Sequence, residues 1–398
     1  MPRRWSRNTP ALSIQLDNQG PLYPGQTVTG RITRRLPIDT SRGRLTLHLH
    51  GLDKVKLTLP TTTLRARTTL IASYQALHNG PLHIPAPSQP GAISYTCPFS
   101  LTIPFHDDLG NVLPFTFHSR TRAATSTCRA FVDYWIEASL SNRNLNSPRD
   151  VAICPIVIRQ HPLPLFEPFP DLGTWTCLKT IRSQRLLPGM ERGRLFLADR
   201  LSRTLNAGSV PRFVFEMKVR MPTIVQLDAG LVPFYVSAFA RHDLSSEVLG
   251  QRGRLVELRG VRVGLVARTT GVVQGRRVCR DEEALRAVWD VKGGESLWLP
   301  EEEEEALDVG RLVMKMRFGE KGVDTAEGGG VMRGERVYPD FETGNIRHSH
   351  LLRWELDVRV AMEAVKVHGE GLITVLGSIG CEERHTKRRS FRWEIGKV

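Results

Sequence analysis

Two short alternating segments separated by a proline-glycine step constrain this chain more than anything after them. Leu12-Ser-Ile-Gln-Leu16 alternates apolar and polar residues, and Leu22-Tyr-Pro-Gly-Gln-Thr-Val-Thr-Gly-Arg-Ile32 repeats the period through Val28, Gly30 and Ile32. Pro24 presets its own φ and Gly25 tolerates positive φ, so Tyr23, Pro24 and Gly25 are expected to form a turn between adjacent strands. Strand, turn, strand is the opening of an antiparallel β-sandwich rather than of an enzyme on a parallel sheet. Leu12, Ile14, Gln15 and Leu16 make a candidate edge strand, because N-terminal strands often lie at a sheet margin. An edge carries unpaired amides and carbonyls that an extended partner can pair with.

The alternation continues. Arg44-Leu-Thr-Leu-His-Leu-His-Gly51 places Leu45, Leu47 and Leu49 on one face, and Val55–Leu59 and Thr63–Ile71 read as the next two strands. Pro81 to Pro90 reads as a loop. Ser94–Ile103, Phe131–Leu140 and Val151–Ile158 complete a first lobe over residues 8–160. His161-Pro-Leu-Pro-Leu-Phe-Glu-Pro-Phe-Pro170 cannot continue a central strand, so 161–171 is read as a proline-rich linker. A second lobe over 172–380 resumes with Trp175–Ile181, Val210–Arg220, Pro233–Phe239, Arg254–Val266, Leu352–Val360 and Leu372–Leu376. Acidic or glycine-rich stretches at 281–308 and 319–344 are read as loop insertions, with a short helix at Asp281–Trp289. Residues 381–398 are read as a basic tail, and Glu301–Glu305 as a solvated block. The fold class is therefore all-β, two sandwiches in tandem.

Composition narrows the partners. In the full 398 residues Lys and Arg outnumber Asp and Glu 55 to 41, a net +14. Residues 1–160 hold 18 of those cations against 8 anions, so most of the excess sits in the first lobe. Arg31, Arg34, Arg35, Arg42, Arg44, Lys54 and Lys56 are its candidate basic surface, suited to phosphate-rich or acidic partners. Nucleic acid is not the expected partner; a weak contact with anionic lipid is. No apolar run approaches the ~18 residues of a membrane-spanning helix. The N-terminus lacks an apolar signal core, so a cytoplasmic protein, at most peripheral to membranes, is expected.

No catalytic constellation stands out, and no cofactor is called for. GxSxG, HExxH, Walker A and dinucleotide fingerprints are missing from the sequence. His48-Leu-His50 and His348-Ser-His350 each put two imidazoles on one strand face without a recognisable third metal ligand, so both read as exposed strand histidines. Asp107-Asp108 reads as a turn. The six scattered cysteines form no CxxC pair, and most of them read as small core residues.

Several of these segments together resemble the N-lobe of the arrestin-like family, and in particular arrestin-related trafficking adaptors of filamentous fungi. The similarity is carried by Tyr23–Gly30, Leu45–Gly51, Cys97-Pro-Phe-Ser-Leu-Thr-Ile-Pro104, Leu113-Pro-Phe-Thr-Phe117 and Val132–Ala138, with Leu186-Leu-Pro-Gly189 and Met221–Leu227 in the second lobe. The resemblance implies two immunoglobulin-like sandwiches acting as a non-catalytic scaffold. Such adaptors bind membrane-protein cargo or its cytosolic tail in endocytosis and sorting, and many recruit a ubiquitin ligase through PPxY. This chain has no PPxY, and Leu12–Leu16 lacks the lysine pair with which visual and β-arrestins sense phosphate. The alternative is another two-sandwich scaffold, retromer-type or lipid-associated, without ligase coupling.

Overall fold

The computed structural model describes residues 11–18, 20–86, 95–122, 125–142, 149–161, 172–187, 190, 210–227, 232–249, 256–297, 312–319, 322–324 and 337–377. Linker residues 162–171, the tail at 381–398 and Glu301–Glu305 lie outside the described residues. Those that are described are nearly all β, in sheets that are antiparallel except where 224–226 pairs in parallel with 374–376; their only helical pieces are three 3-10 turns of three residues each.

The chain divides into two compact units. The first comprises 1–161 together with two stretches from far downstream, 269–280 and 341–347. Its strands are β1 (Leu12–Leu16), β2 (Thr27–Arg34), β3 (Ile38–Thr58), β4 (Thr63–Ile84), β5 (Tyr95–Thr102), β6 (Phe117–Arg122), β7 (Thr127–Asn142) and β8 (Asp150–Ile156). One sheet runs β1-β2-β5 and the other β4-β3-β7-β6, with β8 also on β7. Odd-numbered residues of β3 point inward. Leu45, Leu47, Leu49 and Val55 pack with Phe117, Val132, Tyr134 and Ile136, all buried, which is the period-two pattern a half-buried strand requires.

β3 is one strand of 21 residues rather than two. Gly51 does not end it. The register shifts there, between Gly51 and Leu52, and the Tyr134 ring lies 2.6 Å from where a Cβ of residue 51 would sit. The extra residue at that shift is Leu70 of β4, while Gly51 keeps its register with Tyr134 of β7; the missing Cβ is what lets β3 pass the aromatic ring. β4 likewise runs on to Ile84 through Pro81, which had read as loop. Proline is tolerated because β4 is an end strand of its sheet.

The turn before β2 is closed by the Gln26 amide donating to the Tyr23 carbonyl at 3.0 Å. Gly25 has φ +78°, the third-position conformation of a type II turn. Its amide also donates to the Ile103 carbonyl at 2.7 Å, and a Cβ there would sit 2.2 Å from the Phe105 ring. Gly25→Val combines backbone strain with that clash, and a loss of about 2 kcal/mol or more is expected in equilibrium unfolding. A Gly25→Val protein as stable as wild type would show that neither constraint holds.

The later strands are β9 (Leu172–Arg182), β10 (Arg212–Pro222), β11 (Ile224–Gln226), β12 (Val232–Ala240), β13 (Val256–Val273), β14 (Arg276–Leu297), β15 (Leu312–Gly319), β16 (Gly322–Asp324), β17 (Phe341–Glu342), β18 (Ile346–Val360) and β19 (Glu363–Leu376); they belong to the second unit except β17 and the parts of β13, β14 and β18 that fall within 269–280 and 341–347. The sheets run β16-β15-β12-β10-β9 and β11-β19-β18-β13-β14. Phe213, Phe215, Met217, Val219 and Met221 of β10 join Phe234, Val236, Leu258, Val263, Trp354 and Leu356 in one buried cluster.

The two stretches read as loop insertions contain strands. β14 carries through Leu297, so no helix forms at Asp281–Trp289, and β15, β16 and β17 occupy part of the region from 312 to 342. Leu285, Ala287, Trp289 and Val291 keep a period of two within the acidic composition, and that period outranks net charge as a predictor of strand. Asp281 itself holds a bidentate bond from Arg268, at 2.7 and 2.9 Å, and a third from Arg353 at 2.9 Å. These bonds hold its carboxyl below the usual range.

Candidate functional site

The outer face of the β4-β3-β7-β6 sheet carries rows of like charge. Antiparallel register sets its rows. Arg65 of β4 stands opposite Lys56 of β3, Lys56 opposite Arg129 of β7, and Arg129 opposite Arg120 of β6. The next row on the same face is Arg67, Lys54, Phe131 and His118. Neighbours in a row are about 5 Å apart at Cβ, and like charges directly opposite destabilise a sheet. Arg65, Arg67, Arg129, Arg120 and His118 are exposed, and Lys54 and Lys56 half-buried. Among the described residues Arg65, Arg67, Lys56 and Arg129 form no ion pair. Lys54 lies 5.7 Å above the Phe131 ring, on which His118 also stacks while bonding Asp133 at 3.0 Å.

The second unit shows what a sheet face stabilised for its own sake looks like. There Arg262 meets Glu355 at 2.6 Å, Lys366 meets the same Glu355 at 2.6 Å, and Arg353 meets Glu370 at 3.0 Å. Charges alternate across strands, and every one named has a partner. Arg262, Arg353, Glu355 and Glu370 line a groove of about 380 Å³ and are committed to one another or to neighbouring charges; the exposed His368 also lines it.

Beyond the basic rows the same outer face of the first unit turns aromatic. His48 stacks on His50 at 5.6 Å, His50 on Trp135 at 5.0 Å, and His48 meets Tyr74 at 5.1 Å. Glu137 approaches His50 at 3.8 Å and accepts from Arg149 at 3.2 Å. Burial pushes both imidazoles down in pKa, with Glu137 opposing and Arg149 adding to the shift. They are therefore neutral near pH 7, and the face gains charge only on acidification.

The candidate basic residues are thus sorted by the structure into separate places. Lys54 and Lys56 belong to the rows. Arg44 shares their face but packs against Tyr74, 5.3 Å from its centroid, on the order of 40 Å along β3 at ~3.3 Å per residue. Arg31 lies on β2, ion-paired to Asp17 at 3.8 Å. Arg35 and Arg42 are exposed elsewhere. Arg34 is not surface at all: it is 5% exposed, bonded to Asp150 and to the Leu36 carbonyl. A guanidinium can be buried only when its charge is paired, and Asp150 of β8 supplies that pair. Arg65, Arg67, Arg120, Arg129 and His118 escaped sequence reading, although Arg65 and Arg67 sit two apart in a strand; only the register reveals the row.

β1 pairs with β2 alone, from Leu12↔Arg34 to Leu16↔Gly30, and ends its sheet. Leu12 is buried, Ile14 and Leu16 half-buried, and Gln15 exposed.

The histidine pair on β18 is buried, not exposed: His348 is 4% and His350 0% accessible. β18 lies inside its sheet, and even-numbered residues from His348 to Val358 face the core. The rings meet edge-on at 4.9 Å, Tyr338 lies edge-on to His348 at 6.3 Å, and His350 Nδ1 hydrogen-bonds Asp340. Among the described residues no group of three or more His, Cys, Asp or Glu is placed to hold a metal. Cys97, Cys128, Cys154 and Cys177 are half-buried and Cys279 is exposed, all as free thiols. Cys177 packs against the core of the second unit, the other four are not fully buried, and Cys381 lies outside the described residues.

A further polar cluster, missed in the sequence, surrounds Asp53, which is fully buried. Its carboxylate accepts from the Thr68 amide at 3.0 Å, from Asn345 Nδ2 at 2.6 Å and from the Asn345 amide at 3.3 Å. Asn345 Nδ2 also bonds Thr68 Oγ1 at 2.7 Å. Nearby, Phe341 packs edge-on to Phe115 and Phe117 at 4.9 and 4.8 Å. Together these fasten 341–347 to the first unit.

No protein-family model matches the chain, and no curated protein matches it.

Proposed function

We propose that this chain is a non-catalytic adaptor whose first unit docks an anionic partner on the outer face of the β4-β3-β7-β6 sheet. The observation that carries the reading is the row Arg65–Lys56–Arg129–Arg120, like charges set side by side across four strands. Such a row costs stability in the free protein and is relieved when an anion neutralises it. The motif resemblance to arrestin-like adaptors supports tandem immunoglobulin-like sandwiches and a task in membrane-protein trafficking or endocytosis, with a cargo protein or its cytosolic tail as client. Coupling to a ubiquitin ligase would have to proceed without PPxY.

The test is anisotropy with labelled polyglutamate, a probe of charge alone. Binding is expected at low salt, weakening steeply as the screening length falls to about 8 Å near physiological ionic strength. Arg65→Glu with Arg129→Glu is expected to weaken it at least about tenfold, while Arg31→Glu with Arg35→Glu changes it little. Absence of binding at low salt, or equal loss in both double variants, overturns this docking face.

A further inference from the structure

An apolar loop stands beside the basic rows. Residues 105–112 expose three hydrophobic side chains, Phe105 at 58%, Leu109 at 72% and Val112 at 74%. Exposed apolar residues scattered singly need no explanation; three on one short loop do. The loop is braced rather than loose. Asp107 Oδ1 accepts from the Leu109 amide at 2.9 Å and the Asn111 amide at 2.8 Å, and Asp107 Oδ2 accepts from Asn111 Nδ2 at 3.2 Å. The Asp107 amide donates to the Asn111 carbonyl at 2.8 Å, and Leu113 closes on the Phe105 carbonyl at 2.9 Å. Gly110, at φ +86°, takes the left-handed position this turn requires. The side chains are therefore held out with little ordering left to lose on binding.

The loop is also tied to the strand that begins the basic rows. The Asp108 amide donates to the Leu70 carbonyl of β4 at 2.8 Å. Leu70 is three residues from Arg67 and five from Arg65, roughly 10 and 17 Å at the ~3.3 Å rise of a strand. A braced apolar loop fastened to the same strand that carries uncommitted guanidinium groups is the pairing that a lipid surface rewards. Aliphatic side chains enter the acyl boundary while cations meet anionic headgroups. A soluble acidic peptide would use the cations and leave Leu109 and Val112 in water. Asp107, the acidic group nearest the tip, is consumed by the loop's own donors, leaving Asp108 as the one exposed carboxylate there.

We infer that the anionic partner of the basic face is a bilayer, and that loop 105–112 is its apolar anchor. This rests on the docking-face reading above and adds the class of partner. The test is flotation of the whole chain with phosphatidylcholine vesicles with and without phosphatidylserine, alongside polyglutamate anisotropy. Wild type is expected to float with the phosphatidylserine vesicles alone. Leu109→Ser with Val112→Ser, which removes apolar surface without adding charge, is expected to cut that binding at least about tenfold while leaving polyglutamate affinity unchanged. Both side chains are already more than 70% exposed, so the fold tolerates the change, and matching thermal unfolding confirms it. Arg65→Glu with Arg129→Glu is expected to abolish both signals. Polyglutamate binding without vesicle binding, or vesicle binding indifferent to the loop variant, overturns the membrane anchor and leaves the docking face with an acidic protein partner. Loss of both signals in wild type overturns both.

Discussion

Asp53→Ala is expected to lower the stability of the first unit by about 3 kcal/mol, among the largest effects of any polar substitution in this chain. The carboxylate has no exposure and serves the Thr68 amide, the Asn345 amide and Asn345 Nδ2. Truncation leaves these buried donors unsatisfied, and each such group costs about 1–3 kcal/mol. Relaxation and water entry recover part of the sum. Asp53→Asn keeps an acceptor oxygen and is expected to lose about half as much. Asn345→Ala removes the side-chain donor but frees the carboxylate for water, and about 1–2 kcal/mol is expected. Urea midpoints of the three variants measure the order. An Asp53→Ala protein within 1 kcal/mol of wild type would mean that the carboxylate is not what fastens 341–347.

Acidification is expected to destabilise the second unit through His348. Burial beside His350 pushes its pKa from the usual 6.5 down to about 3. The unfolded chain therefore takes up the proton first as pH falls. The contribution is fully present above about pH 6.5 and is lost progressively between there and about 3, amounting to about 2 kcal/mol at pH 5 and about 3 at pH 4. His48 and His50 are displaced in the same direction in the first unit. His348→Gln is expected to melt lower at pH 7.5 but to change less with pH. Wild-type and variant melting curves that fall in parallel from pH 7 to 4 would show that His348 does not titrate on unfolding.

What could be read in the amino-acid sequence was what is local. Alternation gives the all-β class, since period two needs only neighbours. The chemistry of Pro24-Gly25 is complete within four residues, and Asp107 caps its own loop. What could not be read depends on partners far along the chain. Arg65 and Arg129 become neighbours only through β3, and Asp53 acquires its role from a residue 292 positions later. The inward orientation of His348 and His350 was legible, since they keep the parity of Leu352, Trp354, Leu356 and Val358, but the polarity of imidazole argued against it. Acidic composition over Asp281–Leu297 masked a strand because charge was weighed above period.

The first unit is assembled from 1–161, 269–280 and 341–347. During synthesis at about 5–20 residues per second, the last of these stretches emerges on the order of 10–40 s after residue 161. For that interval Asp53 has no Asn345, and Phe115 and Phe117 have no Phe341. A nascent chain would thus carry a buried carboxylate short of its donors and an aromatic pair short of its lid. The unit begun first is completed only after much of the second has been made, so vectorial folding of the N-terminal half stalls one step from closure.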